Sequence, residues 1–495
     1  MTSIQILLLI AAYFAVLILI SYFTGKDDSN DVFFKGKKQS PWYVVAFGMI
    51  GASLSGVTFI SVPGLIEGQQ FAYMQGVFGF FVGYLVVLLV LLPLYYKLNV
   101  TSIYQYLEQR FGTVSYKTGA FFFLLSRVTG AAFRLFLVAL AMQYIVFEAL
   151  GVPFWLTVVI SIALIWLYTK RGGIKTIVWT DTLQTLAMLT SVIVAIFLIV
   201  NKLGWSVTEI FNKDSFKAKS KLFFFDDVNS KIYFWKYFIG GIFITIAMTG
   251  LDQDMMQKNL TCKNPSDAKK NMFSMSILLV FVNVIFLSLG ALLFIYSEQF
   301  GVSIPVVDGK VRTDLLFPEI AMNQGLGLGL QITFLIGLIA AAYSSADSAL
   351  TSLTTSFSID FLNIEKLPLA QQRPLRKKVH IGVSLLLIVV VVIFNELEGS
   401  VVGNLFKFAT FTYGPLLGLF AFGILTKRSI KDNFAWIVGL ASIIITYFIT
   451  ELPANFPDSF IGKYAFHWEI LPLNGLITFI GLLLISAKAK PNTDL

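Results

Sequence analysis

The 495-residue sequence is 57% hydrophobic and only 13% charged, and its mean hydropathy is +0.78. Soluble domains carry roughly a quarter charged residues, so this composition excludes a soluble protein and indicates a polytopic helical membrane protein. The net charge of +9 comes from short basic clusters between apolar runs, a pattern typical of topology determinants rather than of a nucleic-acid surface. One cysteine and two histidines exclude a multi-cysteine metal site and argue against a histidine-based catalytic centre.

Apolar runs long enough to cross a bilayer follow one another along the chain. A helix needs about 20 apolar residues to span the hydrocarbon core, with a range of roughly 17–25. We predict thirteen spans, at residues 4–24, 42–66, 74–97, 115–147, 152–170, 177–201, 233–257, 271–297, 327–360, 378–395, 402–426, 433–450 and 471–487. The predicted fold is therefore all-α and integral to the membrane.

Basic residues set the predicted orientation. Loops that follow odd-numbered spans, together with the C-terminus, contain 24 Lys and Arg residues, whereas loops on the other side contain nine. Six of those nine are in the loop 202–232, which is the exception to the pattern. Because cytoplasmic loops are enriched in Lys and Arg, we predict a cell-membrane protein with its N-terminus outside and its C-terminus in the cytoplasm.

Small and hydroxylated residues crowd the middle of the second predicted span. They are Gly48, Gly51, Ala52, Ser53, Ser55, Gly56 and Thr58. One interpretation is close packing, since small residues let membrane helices approach each other. The other is a helix break whose freed carbonyls coordinate an ion, which is tolerated only where backbone lines a cavity. Ser55 and Thr58 are three residues apart, so both hydroxyls can face one cavity.

Two arginines lie within the fourth predicted span. Arg127 and Arg134 are seven residues apart and therefore share one helix face. An arginine inside a membrane needs a partner, which can be a protein carboxylate or an anionic ligand. The sequence leaves two interpretations open, namely substrate binding by at least one arginine or pairing with Asp181 or Asp347.

The ninth predicted span contains a stripe of hydroxyl groups. Ser344, Ser348 and Ser352 follow one another at intervals of four residues and share a helix face, with Asp347 beside them. A carboxylate deep in a span is energetically costly and is by default functional. Because hydroxyl, carbonyl and carboxylate oxygens suit an alkali cation, the span predicts such a site rather than a transition-metal site.

Four motifs occur in order along the chain. They are the small-residue cluster of span two, the segment Gly172–Asp181, the motif Asp252-Gln253-x-x-x-Gln257, and Ala341-x-x-Ser344-Ser345. In this order and spacing they resemble the sodium:solute symporter family over essentially the whole chain. The resemblance implies sodium as the coupling ion, no organic cofactor, and a sugar, amino acid, vitamin or organic acid as solute.

The resemblance also implies a LeuT-type core of two inverted five-helix repeats with extra helices at both ends. The corresponding segments are an N-terminal helix and loop at 1–40, a first repeat at 41–201, an extracellular loop at 202–232, a second repeat at 233–427, and two C-terminal helices with a tail at 428–495. The first helix of each repeat is expected to be unwound near the midplane. Gly240-Gly241 and Thr249-Gly250 of span seven then correspond to the cluster of span two.

Matched residue by residue, the resemblance implies two sodium sites. The ligands of the first would be the backbone of Gly51, Leu54 and Ala341 and the hydroxyls of Ser344 and Ser345. The second, which only some family members have, would use Asp181, Asp347 and Ser348. Asp347 stands where some relatives have a serine, and it either strengthens this second site or forms a structural pair with an arginine.

Candidate substrate contacts follow from the same resemblance. Ser55-Gly-Val-Thr58-Phe59 is similar to a stretch that contacts substrate in the sialic-acid transporters of the family, and Arg127 lies near the position of their carboxylate-binding arginine. Gln75 and Gln253 are further candidates, with ordinary interhelical hydrogen bonding as the alternative. We therefore expect a sodium-coupled symporter that imports a small polar solute by alternating access, with an organic or sugar acid such as sialic acid favoured over a neutral sugar.

Two other classes of protein fit the sequence less well. A membrane sensor that keeps the fold without transport is disfavoured, because no kinase or receptor domain follows residue 488. An enzyme is disfavoured because the sequence lacks a His/Cys metal set, and a nucleotide-driven pump because it lacks the P-loop Gly-x-x-x-x-Gly-Lys-Ser/Thr. The expected partners are a small solute, sodium and the lipid bilayer, with no nucleic acid and no nucleotide.

Overall fold

A computed structural model describes residues 3–54, 56–143, 147, 150–307, 310–396, 399–459 and 461–487. Within these residues the only paired strands are two short antiparallel ladders, Val306–Val307 with Lys310–Val311 and Ser429–Ile430 with Ser486–Ala487. Most of the rest of the described chain is helical, which confirms the predicted all-α class.

The helices follow the predicted spans in order, and we keep that numbering. They are Ser3–Thr24 (span one), Trp42–Ser53 with Gly56–Gly64 (two), Tyr73–Leu98 (three), Thr113–Met142 (four), Phe154–Thr169 (five), Ile174–Lys202 (six), Phe234–Gly250 with Gln253–Asn259 (seven), Pro265–Phe300 (eight), Leu328–Phe361 (nine), Leu369–Asn395 (ten), Gly399–Leu425 (eleven), Ala435–Asn455 (twelve) and Ile470–Leu484 (thirteen). Among the described residues, eight helices are long and apolar enough to cross a bilayer, and two bent pairs raise this to ten. The total of thirteen spans stays a prediction, as do the boundaries of the two repeats.

Spans two and seven are broken near their middles. The two halves of span two meet at a bend of 59°, and those of span seven at a bend of 69°. Asp252 begins the second half of span seven, and its carboxylate caps that half-helix by accepting the N–H groups of Asp254 and Met255 at 2.8 and 3.3 Å. Both breaks lie in the segments where the sequence predicted them.

The glycines of span two also allow close packing. The N–H of Gly51 donates to the Thr185 hydroxyl of span six at 3.1 Å, and a Cβ added at Gly51 would lie only 2.2 Å from that oxygen. Spans three and seven approach each other in the same way, since a Cβ at Gly79 would lie 2.2 Å from the Phe238 carbonyl. The structure thus shows both close packing of the first half-helix and a break at its end. Coordination of an ion by the carbonyls at the break stays a prediction.

One aspartate joins the loop after span one to the start of span ten. The Asp28 carboxylate contacts the guanidinium groups of Arg373 and Arg376, and lies 2.9 Å from the Lys377 ammonium. Arg376 is fully buried and stacks on Phe33, with 4.5 Å between guanidinium and ring centre. Burial opposes the charged form of Asp28, but the three cations outweigh it and hold the pKa of this carboxyl below its ordinary value.

Asp28→Asn is expected to lower the free energy of unfolding by about 3 kcal/mol, because it leaves the buried Arg376 without its counter-charge. This is the low end of the range for such a change, since Asn30 still accepts a hydrogen bond from Arg376 at 2.9 Å. Thermal unfolding in detergent measures the loss. Because the pKa of Asp28 is depressed in the folded protein, its stabilising effect is present above about pH 4 and fades as the pH falls below that value.

The matched control is Asp27→Asn. Asp27 is the neighbouring residue, but its side chain is 45% exposed; it pairs with the exposed Lys37 at 2.7 Å and accepts the Ser29 N–H at 2.9 Å. Exposed pairs contribute little to stability, so this variant should unfold at the wild-type temperature. Equal melting temperatures for the two variants would contradict the assignment of Asp28 as a buried counter-charge.

Candidate functional site

The predicted ligands of the first sodium site lie where span two breaks beside span nine. Gly51 and Leu54 are at the end of the first half-helix, where helix carbonyls lose their intrahelical partners. Ala341, Ser344 and Ser345 are buried in span nine, which contacts both halves of span two. The Ser345 hydroxyl has no hydrogen-bond partner among the described residues. Hydroxyl oxygens beside free helix carbonyls suit an alkali cation.

Asp181 of span six lies at the centre of the second predicted site. One of its carboxylate oxygens accepts a hydrogen bond from the Ser344 hydroxyl at 2.7 Å. The other oxygen lies 2.7 Å from the ammonium nitrogen of Lys258, which belongs to the second half of span seven. Both charged side chains are only 1% exposed, so this is a fully buried ion pair.

Asp347 lies beside this pair on span nine. Its Oδ2 atom accepts a hydrogen bond from the Tyr168 hydroxyl at 2.7 Å, whereas its Oδ1 atom has no hydrogen-bond partner among the described residues. No ion pair of the described chain joins Asp347 to an arginine, so the pairing that the sequence left open for this residue is not found. Ser348, the other predicted ligand, is buried next to it.

Arg127 of span four is held by the second half of span seven. Its guanidinium contacts the Asp254 carboxylate directly and lies 3.9 Å from Asp252, which also accepts a hydrogen bond from the Tyr413 hydroxyl of span eleven. The pairing with Asp181 or Asp347 that the sequence left open is not found for this arginine among the described residues. The reason is the break in span seven, which turns the start of the second half-helix toward span four.

Arg134 differs from Arg127 although both share one helix face. No Asp or Glu of the described residues lies within 4 Å of the Arg134 guanidinium, and the side chain keeps part of its surface accessible. Its electrostatic neighbours are Arg127, Asp252 and Tyr413, so it faces the broken spans rather than lipid. An arginine in this position suits the carboxylate of a bound anion, because its planar fork can donate two parallel hydrogen bonds.

The side-chain amides of Gln75 and Gln253, two predicted substrate contacts, are hydrogen-bonded to backbone groups. Gln75 donates to a carbonyl and accepts from an N–H of the loop before span seven, at 2.9 and 3.0 Å. Gln253 makes the same pair of bonds to the loop after span three, at 2.9 Å in both cases. Both amides thus have the structural role that the sequence gave as the alternative to substrate contact, but their partners are loop backbone groups rather than another helix.

The predicted hydroxyl pair of span two is described only in part. Ser55 lies outside the described residues. Thr58 is in the second half-helix and is partly exposed, whereas its neighbour Phe59 is fully buried. The Phe59 ring packs among the rings of Phe286, Phe317 and Phe334. This packing fixes the rotation of the half-helix that carries Thr58.

The sequence predicted no role for the charges of Asp254 and Lys258, and it used Asp252 only as part of a family motif. A usable signal existed, since all three lie within seven residues at the end of an apolar run. The predicted boundary at residue 257 assigned Lys258 to a loop, but the half-helix continues to Asn259. Hydropathy alone does not separate a solvated loop from a short charged helix that its neighbours bury.

Comparisons with known proteins agree with this geometry. A family model for the sodium:solute symporter family matches residues 33–433. The sodium/sialic acid symporter SiaT of Proteus mirabilis (strain HI4320) is 25% identical over 469 residues, covering 91% of this chain and 90% of that protein. The sodium/sialic acid symporter NanT of Aliivibrio fischeri (strain ATCC 700601 / ES114) is 26% identical, covering 87% and 85%.

Solved structures show the same fold. A sodium-coupled sialic acid symporter in a substrate-bound outward-open state aligns with a TM-score of 0.82 at 22% identity, covering 98% of both chains. Mhp1, a nucleobase-cation-symport-1 family transporter in a closed conformation, aligns with a TM-score of 0.53 at 14% identity, covering 93% and 95%. These likenesses confirm the predicted LeuT-type architecture.

Proposed function

The chain belongs to the sodium:solute symporter family, and from this premise we propose that it imports a small organic acid with sodium across the cell membrane. The relatives that it matches are transporters rather than enzymes. We further propose that the N-terminus is outside and the C-terminus in the cytoplasm, which is supported by the distribution of Lys and Arg among the loops.

Sodium in the first site would couple two parts of the fold. The proposed ligands are the carbonyls of Gly51, Leu54 and Ala341 and the hydroxyls of Ser344 and Ser345. A cation bound there joins span two to span nine and stabilises the arrangement that binds substrate. By thermodynamic linkage, sodium and substrate then raise each other's affinity by the same factor. Each charge that moves inward at 100 mV adds about 2.3 kcal/mol to the driving force.

The contrast between two arginines supports an acidic substrate. Arg127 is neutralised by Asp254 and Asp252, whereas Arg134 has no carboxylate within 4 Å among the described residues. A carboxylate on the substrate would supply the missing counter-charge at the centre of the fold. Two bacterial relatives are named for sialic acid, which is a sugar acid. We propose Arg134, with Thr58 and Ser55, as the substrate-binding residues.

Uptake into proteoliposomes tests the proposal. Under an inward sodium gradient, a panel of labelled short-chain organic acids, sugar acids including sialic acid, and neutral sugars should show sodium-dependent uptake of an acid. Unlabelled carboxylates should compete, whereas the methyl ester of the transported acid should not. Uptake that persists when choline replaces sodium would contradict coupling. A methyl ester that competes as well as the acid would contradict the role of Arg134.

A sensor that keeps the fold without transport is the weaker interpretation. The two named bacterial relatives are symporters, and each aligns with this chain over most of the length of both proteins. We find no specific feature among the described residues that favours a signalling role.

A further inference from the structure

A lysine side chain lies in the buried centre of the protein. Lys258 is in the second half-helix of span seven and is 1% exposed. Its ammonium nitrogen lies 2.7 Å from Asp181 Oδ2 and 4.0 Å from Asp254 Oδ1. A buried ammonium is stable only when an opposite charge and good geometry compensate its lost hydration. Asp181, at the shorter distance, is therefore the residue that holds Lys258 in place.

Asp181 is also the residue on which a second sodium site would depend. One of its oxygens already accepts a hydrogen bond from Ser344 at 2.7 Å, and Lys258 lies against the other. A sodium ion bound to Asp181 would have to lie beside the ammonium, and like charges repel strongly where water is scarce. The ammonium and a second sodium ion therefore compete for one carboxylate.

The carboxylates near the two broken spans already have partners among the described residues. Lys258 lies against Asp181, Arg127 contacts Asp254 and lies 3.9 Å from Asp252, and Tyr168 donates a hydrogen bond to Asp347. Both predicted sites keep a buried hydroxyl without a hydrogen-bond partner among these residues, Ser345 at the first and Ser348 at the second. The ammonium against Asp181 is therefore what distinguishes the second site from the first.

We propose that Lys258 is a built-in cation that fills the second cation site, so that one sodium ion accompanies each substrate molecule. The stoichiometric part of this inference rests on the proposed function. Lys258 is then the residue that sets the number of coupling ions, and removal of its charge opens Asp181, Asp347 and Ser348 to a second sodium ion.

Direct binding of ²²Na⁺ to the purified protein tests the inference without any substrate. Wild-type protein should bind one sodium ion per chain, and Lys258→Gln should bind two, because glutamine keeps most of the side-chain length but not the charge. In proteoliposomes, reversal potentials should give a sodium-to-substrate ratio of one for wild type and two for Lys258→Gln. The melting temperature of Lys258→Gln should also rise about twice as steeply with the logarithm of the sodium concentration.

Two further variants control the experiment. Lys270→Gln removes an exposed lysine that lies 3.8 Å from Asp267 at the start of span eight, and it should bind one sodium ion like wild type. Lys258→Gln with Asp181→Asn removes both charges of the buried pair, so it should fold and again bind one sodium ion. This double variant remains informative where Lys258→Gln alone does not fold.

Several outcomes would overturn the inference. They are two bound sodium ions in wild type, one in a folded Lys258→Gln protein, or two in the double variant. If the sodium counts are one and two as expected but no acid is transported, the role of Lys258 stands and the proposed function fails. The two hypotheses are thereby tested separately.

Discussion

Replacing Ser344 and Ser345 together by alanine is expected to abolish sodium-dependent uptake in a protein that still folds. Both hydroxyls are buried in span nine beside the break in span two, and neither alanine leaves a void larger than one oxygen atom. A lost hydrogen bond to a charged group costs about 1.5–3 kcal/mol. If each of the two hydroxyl ligands contributes a similar amount to sodium binding, loss of both should lower the sodium affinity roughly 10²–10⁴-fold.

Sodium titrations of uptake and ²²Na⁺ binding measure this loss, and size-exclusion chromatography shows whether the protein folds. Ser352→Ala is the matched control, because Ser352 is buried in the same helix but its hydroxyl bonds to the Ala349 carbonyl of its own turn at 3.1 Å. That variant should keep wild-type sodium activation. Undiminished activation in the double variant would contradict the assignment of the first site.

The two single variants should also differ from each other. Ser344 donates a hydrogen bond to Asp181, whereas the Ser345 hydroxyl has no partner among the described residues. Ser345→Ala therefore removes a proposed sodium ligand without breaking a hydrogen bond among the described residues. Ser344→Ala removes a proposed ligand and also one of the groups that stabilise the buried Asp181 carboxylate, so it should be the less stable of the two proteins.

The fold was predictable because its determinants are local in sequence. Hydropathy places the spans, and the clusters around Gly51 and Gly250 mark the breaks in spans two and seven. Such features depend on a few neighbouring residues. A single apolar segment that crosses lipid also has to be helical, because the helix forms all its backbone hydrogen bonds within the segment. The same reasoning explains why the hydroxyls of span nine were identified as one face.

The partners of the buried charges were not predictable in this way. The sequence left Asp181 and Asp347 open as partners of Arg127, but Arg127 binds Asp254. This choice depends on how far the bend in span seven rotates the half-helix. Lys258 was assigned to a loop because hydropathy does not show that the short half-helix continues to Asn259 and is buried by its neighbours. Contacts between helices distant in sequence are set by the assembled bundle, and hydropathy contains no information about them.

Arg134 is the residue at which the charge of the substrate can be tested. Arg134→Gln is expected to raise the apparent substrate constant about ten- to a hundred-fold, because a charge-assisted hydrogen bond worth about 1.5–3 kcal/mol is lost. The sodium constant measured without substrate should stay near the wild-type value. Arg134→Lys should recover only part of the affinity, since a lysine cannot form the bidentate pair. Wild-type substrate affinity in Arg134→Gln would contradict an acidic substrate at this position.

Arg127→Gln should behave differently, and this difference separates a substrate contact from a structural pair. Removal of the Arg127 charge leaves Asp254 buried without its partner, so we expect poor expression or a low melting temperature rather than a selective loss of substrate affinity. Arg127→Gln combined with Asp254→Asn should restore much of the stability, and a double-mutant cycle measures the coupling. Arg134→Gln has no protein carboxylate to neutralise among the described residues, so Asp254→Asn should give it no such rescue. If both arginines instead show the same rescue, both belong to the ion network that holds span seven, and the substrate carboxylate must bind elsewhere.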